Sequence, residues 1–162
     1  MKQNLNFLNY EAVALELSKG LQPLSSEVVI RCNLTRAQAM AEYRTIGFTG
    51  VRQTGKTRFI ASKAEQDVET TLIVFPNRAS ARQFTADWAV LMGNTPMPTL
   101  WAGPLYPSDD RRGMSPVLED KRQFKRVFID DAQAYFSRYR HGKFYRAMAE
   151  LCDDDVIITH VG

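Results

Sequence analysis

Gly50, Gly55, Lys56 and Thr57, within FTGVRQTGKTRF, stand at the spacing GxxxxGK[ST], which suits holding a phosphate. The first glycine lets the chain turn sharply. Backbone N–H groups from Gln53 to Thr57 then point inward at an anion, and the helix that follows adds the partial positive charge of its N-terminus. In such a loop Lys56 reaches the β and γ phosphates of a nucleotide, and the Thr57 hydroxyl is a ligand for Mg²⁺. Gly50, Gln53, Thr54, Gly55, Lys56, Thr57 and Arg58 are the candidate nucleotide-binding residues.

A loop that hydrolyses a nucleotide also needs an acid for the metal and a group to orient the attacking water. VFIDDAQ supplies both. Apolar residues Val127 to Ile129 bring a buried strand to Asp130, placed to organise Mg²⁺ through its water shell, and Asp131 follows as the candidate catalytic base. Two aspartates after a strand also make a helix cap, a common use of this residue. In VIITHVG, Thr159 and His160 follow an apolar run and are candidate sensors of the γ-phosphate; a cap or a surface histidine fits them equally well.

These residues need elements to hold them. RTIGFTG reads as a strand entering the glycine loop and GKTRFIASKAEQ as the helix leaving it. TLIVFPNR has the continuous apolar character of a strand buried on both faces, and ASARQFTADWAVLMG is an amphipathic helix ending at Gly93. RVFIDDA and DVIITHVG are further strands, FYRAMAELC a further helix, and TLWAG a short strand in the otherwise irregular region from Asn94 to Asp120. Ahead of the loop, NYEAVALELSKG is a helix capped by Asn9, SSEVVIRCN a short β-branched stretch, and LTRAQAMAEY a helix opening with the Thr35–Gln38 capping-box pattern. Alternating strands and helices predict an α/β fold: an open, mostly parallel sheet covered on both faces, binding ligands beyond the carboxyl ends of its strands.

The 162 residues fit one domain, with residues 1–44 as a helical lead-in packed on the core. Hydrophobic residues at 44% and charged residues at 24% match globular averages, which excludes a disordered or fibrous chain. A net charge of +3 is too small to argue for a polyanionic partner by itself. Cys32 and Cys152 form no CxxC and are expected to be buried thiols, which suits a reducing compartment and argues against a zinc site. No apolar run approaches the length of a membrane span. A soluble cytoplasmic protein is the expectation.

The loop and the acidic strand together resemble the P-loop ATPases of the additional-strand class, in particular the first RecA-like domain of helicases and the ATPase domain of phage terminase large subunits. RQTGKT, Arg52 to Thr57, is similar to the arginine-containing loops of terminases, which implies that Arg52 neutralises transition-state charge within its own subunit. VFIDDAQAYF resembles their acidic strand, with Asp131 replacing the usual glutamate. LTRAQAMA, Leu34 to Ala41, looks like the glutamine motif of helicases and would set Gln38 against adenine. TLIVFPNRASA stands where the helicase strand end and following helix contact the nucleic-acid backbone. The resemblance covers Leu34 to Gly162 and implies a RecA-like P-loop NTPase with ATP and Mg²⁺ as cofactors, in a phage or mobile-element setting. It does not extend to the second RecA-like domain of helicases or the nuclease domain of terminases, so the expected ATPase works as a homo-oligomer or beside a partner protein that supplies an arginine finger.

Arg138, Arg140, Lys143 and Arg146, with His141, are interleaved with Tyr139, Phe144 and Tyr145, as phosphate neutralisation plus base stacking on DNA or RNA would use. An ordinary solvated helix face with core aromatics has the same pattern. A second group, Arg111, Arg112, Lys121, Arg122, Lys125 and Arg126, is diluted by acids and reads as a solvated loop. The expected function is a nucleic-acid-processing ATPase. The alternatives are a hydrolysis-deficient, nucleotide-gated interaction module and a P-loop kinase with SRYRHGKFYR as its lid. A GTPase lacks support because no NKxD-like motif is present.

Overall fold

The apolar run Thr71–Phe75 forms a strand buried at every position in the computed structural model, which describes residues 9–50, 55–105 and 123–162. It is β2 of a five-stranded sheet with β1 (Thr45–Phe48), β3 (Thr99–Ala102), β4 (Phe124–Asp130) and β5 (Cys152–Val161). The strand order is β1-β5-β4-β2-β3 and every neighbouring pair is parallel. The strands alternate in the chain with helices α1 (Tyr10–Ser18), α2 (Glu27–Arg31), α3 (Arg36–Tyr43), α4 (Lys56–Glu65), α5 (Arg78–Met92), α6 (Ala132–Arg138) and α7 (His141–Leu151). This is the expected α/β architecture, consistent with a RecA-like fold.

Side-chain alternation along a strand sends successive residues to opposite faces, and two cores result. Leu72, Val74, Val127 and Ile129 pack with Met40 of α3, Tyr135 of α6 and Phe144 and Met148 of α7. Ile73, Phe75 and Phe128 pack with Phe59 and Ile60 of α4, Phe84 and Trp88 of α5, and Tyr10 of α1. The lead-in helix α1 is thereby tied to the core: Tyr10 stacks on Phe48 at 5.2 Å between centroids, and Glu11 pairs with Lys63 at 3.0 Å.

The buried Arg44 joins the lead-in to β5. Its Nε donates to the Val156 carbonyl at 2.8 Å and its Nη2 to the Asp155 carbonyl at 2.6 Å. Burial lowers the pKa of this guanidinium, while Asp155 and Asp153 raise it. Arg44→Met keeps the aliphatic stem but leaves those carbonyls without their donor, so unfolding free energy should fall by about 2–3 kcal/mol in urea titrations. An unchanged midpoint would remove Arg44 from the forces that hold β5.

Two local expectations need adjustment. The β-branched stretch before Cys32 is helix α2, because Ser26 accepts from Val29 N and caps it. Helix α6, just after the acidic pair, is the helix that the cap alternative for those aspartates calls for. Cys152 is buried, and burial pushes its thiol up to about 12, but Cys32 is exposed and lies 3.1 Å from the Tyr43 hydroxyl. Asn33, next to Cys32, has a left-handed φ of 50°, which turns the chain there toward α3.

Candidate functional site

Gly55 has φ 90° and caps α4 in the left-handed region that glycine enters without strain. Among the described residues no side chain caps this helix, and the first N–H groups of a helix have no partner within it. Lys56 Nζ donates to the Gly50 carbonyl at 3.1 Å and to the Gly162 carbonyl at 2.9 Å. The two glycines are themselves joined, Gly50 N to Gly162 O at 2.9 Å, and Gly162 N reaches Phe48 O at 3.0 Å. A Cβ at Gly162 would stand 2.9 Å from Thr49 Cγ2, so a side chain there would displace the Thr49 methyl where the β1 and β5 ends approach. The Lys56 ammonium thus sits across the carboxyl ends of β1 and β5.

Asp130 lies on the far side of that gap. Neighbouring strands are about 4.8 Å apart, so β1 and β4, with β5 between them, end about 10 Å from one another. Asp130 is two residues beyond Phe128 and shares its face, which turns it toward α4 and α5. There it lines a cavity of about 330 Å³ together with Thr57 from the first turn of α4 and Ser80, Gln83 and Asp87 from α5. Burial holds the Asp130 carboxyl above the usual aspartate range, Asp131 raises it further, Lys56 opposes both, and Asp87 adds a smaller upward push. A hydroxyl and a half-buried carboxylate in one cavity fit a hard cation. Among the described residues no group of three His, Cys, Asp or Glu side chains could hold a metal unaided.

Asp131 occupies a different position. It adopts φ 51° and ψ 58°, and its Oδ1 accepts from Ala134 N at 3.3 Å as the N-cap of α6. The cap alternative is therefore realised, and the carboxylate is exposed.

Neither sensor candidate stands beside Asp130; the register places Val161 there. Thr159 is buried two residues earlier and lines a separate, mainly apolar cavity of about 350 Å³ under α1, with Ile46, Phe59 and Phe128. His160 points to the opposite face, where its Nε2 is 3.1 Å from the Tyr145 hydroxyl and its ring is 5.1 Å from Phe136. Burial, helped by His141, lowers the His160 pKa to about 4.

That shift has a sign. An unperturbed histidine titrates near 6.5, so the unfolded chain binds the proton first, and stability present above about pH 6.5 is lost as the pH falls toward 4. Between pH 7 and pH 5 this one group should cost the fold about 1–2 kcal/mol. Urea denaturation at both pH values checks it: His160→Gln should shrink the difference, and an identical pH dependence in the variant would exclude His160 as the source.

Gln38 also needs correction. Its Oε1 accepts from Thr35 N at 3.0 Å while Thr35 Oγ1 accepts from Gln38 N at 3.3 Å, a complete capping box. Two residues before Gln38, Arg36 bonds the Ala149 and Cys152 carbonyls and pairs with Asp154. The first turn of α3 therefore lies by the amino end of β5, at the opposite edge of the sheet from Lys56, and does not set Gln38 against a base held at the loop.

Arg138, Arg140, His141 and Arg146 are exposed and Lys143 is half-buried. The aromatics between them are not available for base stacking: Phe144 and Tyr145 are buried in the core, and the half-buried Tyr139 donates to the Pro76 carbonyl at 3.3 Å. His141 stacks on Phe136 at 3.8 Å, next to His160 near the carboxyl end of β5, so the start of α7 lies at the same sheet edge as Lys56. Arg126 is structural, donating to the Lys63 carbonyl at 2.9 Å. Arg58 is exposed on α4. Arg52, Gln53 and Thr54 lie outside the described residues, as do Arg111, Arg112, Lys121 and Arg122.

The site residues that sequence reasoning missed are Ser80, Gln83 and Asp87. Their i, i+3, i+7 spacing puts them on one stripe of α5 beside the buried Phe84 and Trp88, a signal that cannot be told from a solvated face until α4 is in place. No protein family, no curated protein and no solved structure matched the chain.

Proposed function

We propose that the chain binds MgATP at the carboxyl edge of its sheet and hydrolyses the β–γ bond in the service of nucleic-acid processing, helicase-like or packaging-like. The observation that carries the reading is the meeting of Thr57 and Asp130 in one cavity, within the field of Lys56. Lys56 supplies a point charge to the β and γ phosphates, and the uncapped start of α4 supplies N–H donors. The Thr57 hydroxyl and Asp130 carboxylate hold the cation's side of the site. Mg²⁺ bound with the nucleotide neutralises charge that develops on the phosphate oxygens. The exposed cations Arg138, Arg140 and Arg146 give the nucleic-acid part of the reading its support, through phosphate contacts. An arginine that neutralises transition-state charge, Arg52 within its own subunit or one from another copy or a partner protein, completes the reading.

A second reading, a nucleotide-gated interaction module without turnover, is favoured by one observation: the Asp131 carboxylate is used as a helix cap. Calorimetry with MgATP and a non-hydrolysable analogue, followed by phosphate release with and without single- and double-stranded DNA at several protein concentrations, separates the two. Binding with DNA-stimulated turnover supports the ATPase, and binding without turnover supports the module. No binding of either nucleotide defeats both.

A further inference from the structure

We infer that Asp87 of α5 is a second carboxylate facing the cation's water shell, held in position by Gln83. The inference rests on the MgATP reading above and adds a residue that the loop-and-strand pattern does not include. Three observations carry it.

Asp87 and Asp130 line the same cavity as the Thr57 hydroxyl, although they come from different elements. Asp87 is half-buried beside the buried Phe84 and Trp88, and its carboxylate end stays in reach of water. Gln83 Nε2 donates to Asp87 Oδ1 at 2.9 Å from one turn earlier on the helix, which fixes the carboxylate and leaves Oδ2 as a further acceptor.

The need for such a group follows from Asp131. Mg²⁺ is octahedral and dehydrates reluctantly, so a site with one hydroxyl and one carboxylate leaves several waters to be oriented by outer groups. Asp131 Oδ1 is engaged with Ala134 N, on the capping side of the strand end, and Asp131 does not line the cavity. Asp87 does, and its charge acts on Asp130. Asp87 is thus a positioning residue for metal-bound water, with Gln83 behind it.

The test uses the full chain in excess over ADP, with Mn²⁺ as the probe, and reads free Mn²⁺ by electron paramagnetic resonance against the same Mn²⁺ and ADP without protein. Asp87→Asn should weaken Mn²⁺ binding by about 10-fold, the usual scale for a group acting through metal-bound water. Gln83→Ala, on an exposed position where folding is not at risk, should weaken it by less, and Asp131→Asn should leave it within twofold of wild type. ADP affinity in EDTA should not change in any of the three, which separates loss of the cation from loss of the fold. If wild type binds Mn²⁺ with ADP and Asp87→Asn binds it equally well, the role of Asp87 is refuted while the MgATP reading stands. If wild type binds no Mn²⁺ with ADP, both fall.

Discussion

Lys56→Ala is expected to weaken ATP binding by roughly 100-fold, from the loss of about 3 kcal/mol of charge-assisted hydrogen bonding to phosphate. Phosphate release should become undetectable. The argument rests on position: Lys56 Nζ sits between the ends of β1 and β5 on two carbonyls, within the field of Asp130. Both carbonyl contacts are at the edge of the sheet, and Lys56 is half-buried, so the variant should fold. Calorimetry on a variant with wild-type circular dichroism is the measurement. An affinity within threefold of wild type would remove the phosphate role from this loop.

Asp130→Asn should have two opposite effects. Burial and the adjacent Asp131 hold the carboxyl above its usual range, and Lys56 offsets only part of this. A folded-state pKa above the unfolded value means that the native protein binds the proton more readily, so stability is lost as the pH rises from the unfolded value through the folded one. At neutral pH the charged form is a liability. The amide removes it and should raise stability by about 1 kcal/mol, seen as a Tm increase of roughly 2–4 °C for a chain of this size. On the MgATP reading, hydrolysis should meanwhile fall by at least about 100-fold, through loss of the strand-end carboxylate that faces the cation. A lower Tm together with retained turnover would contradict both the burial argument and the metal role.

Much of this was legible in the sequence wherever one physical cause dominates. TLIVF could only be a strand covered on both sides, and it is β2. The GK step of the loop needs a left-handed glycine before a helix, and Gly55 provides it. The capping box was legible too, but Thr35 and Gln38 satisfy both a local hydrogen-bond rule and a nucleotide-contact pattern. Only the placement of α3 at the amino edge of β5 separates the two. The aromatics between the basic residues carried a similar ambiguity, since burial depends on how α6 and α7 fold back on the sheet. Strand register was beyond reach: a shift of one residue decides whether His160 or Val161 stands beside Asp130. The polar stripe on α5 was hidden because a side chain facing a cavity and one facing solvent look alike until two helices are set side by side.

Asp131 sits at a backbone angle that few side chains accept. Aspartate and asparagine tolerate the left-handed region, while glutamate there would lose the short-range cap and meet strain, each worth about 1 kcal/mol. The glutamate found at this point in the ATPases that the acidic strand resembles is therefore not one harmless substitution away. A lineage that adopted this strand-to-helix turn would have been held there by its stability, whatever the chemistry favoured. Selection for turnover would then act on other positions around the cavity, most of whose lining α5 supplies.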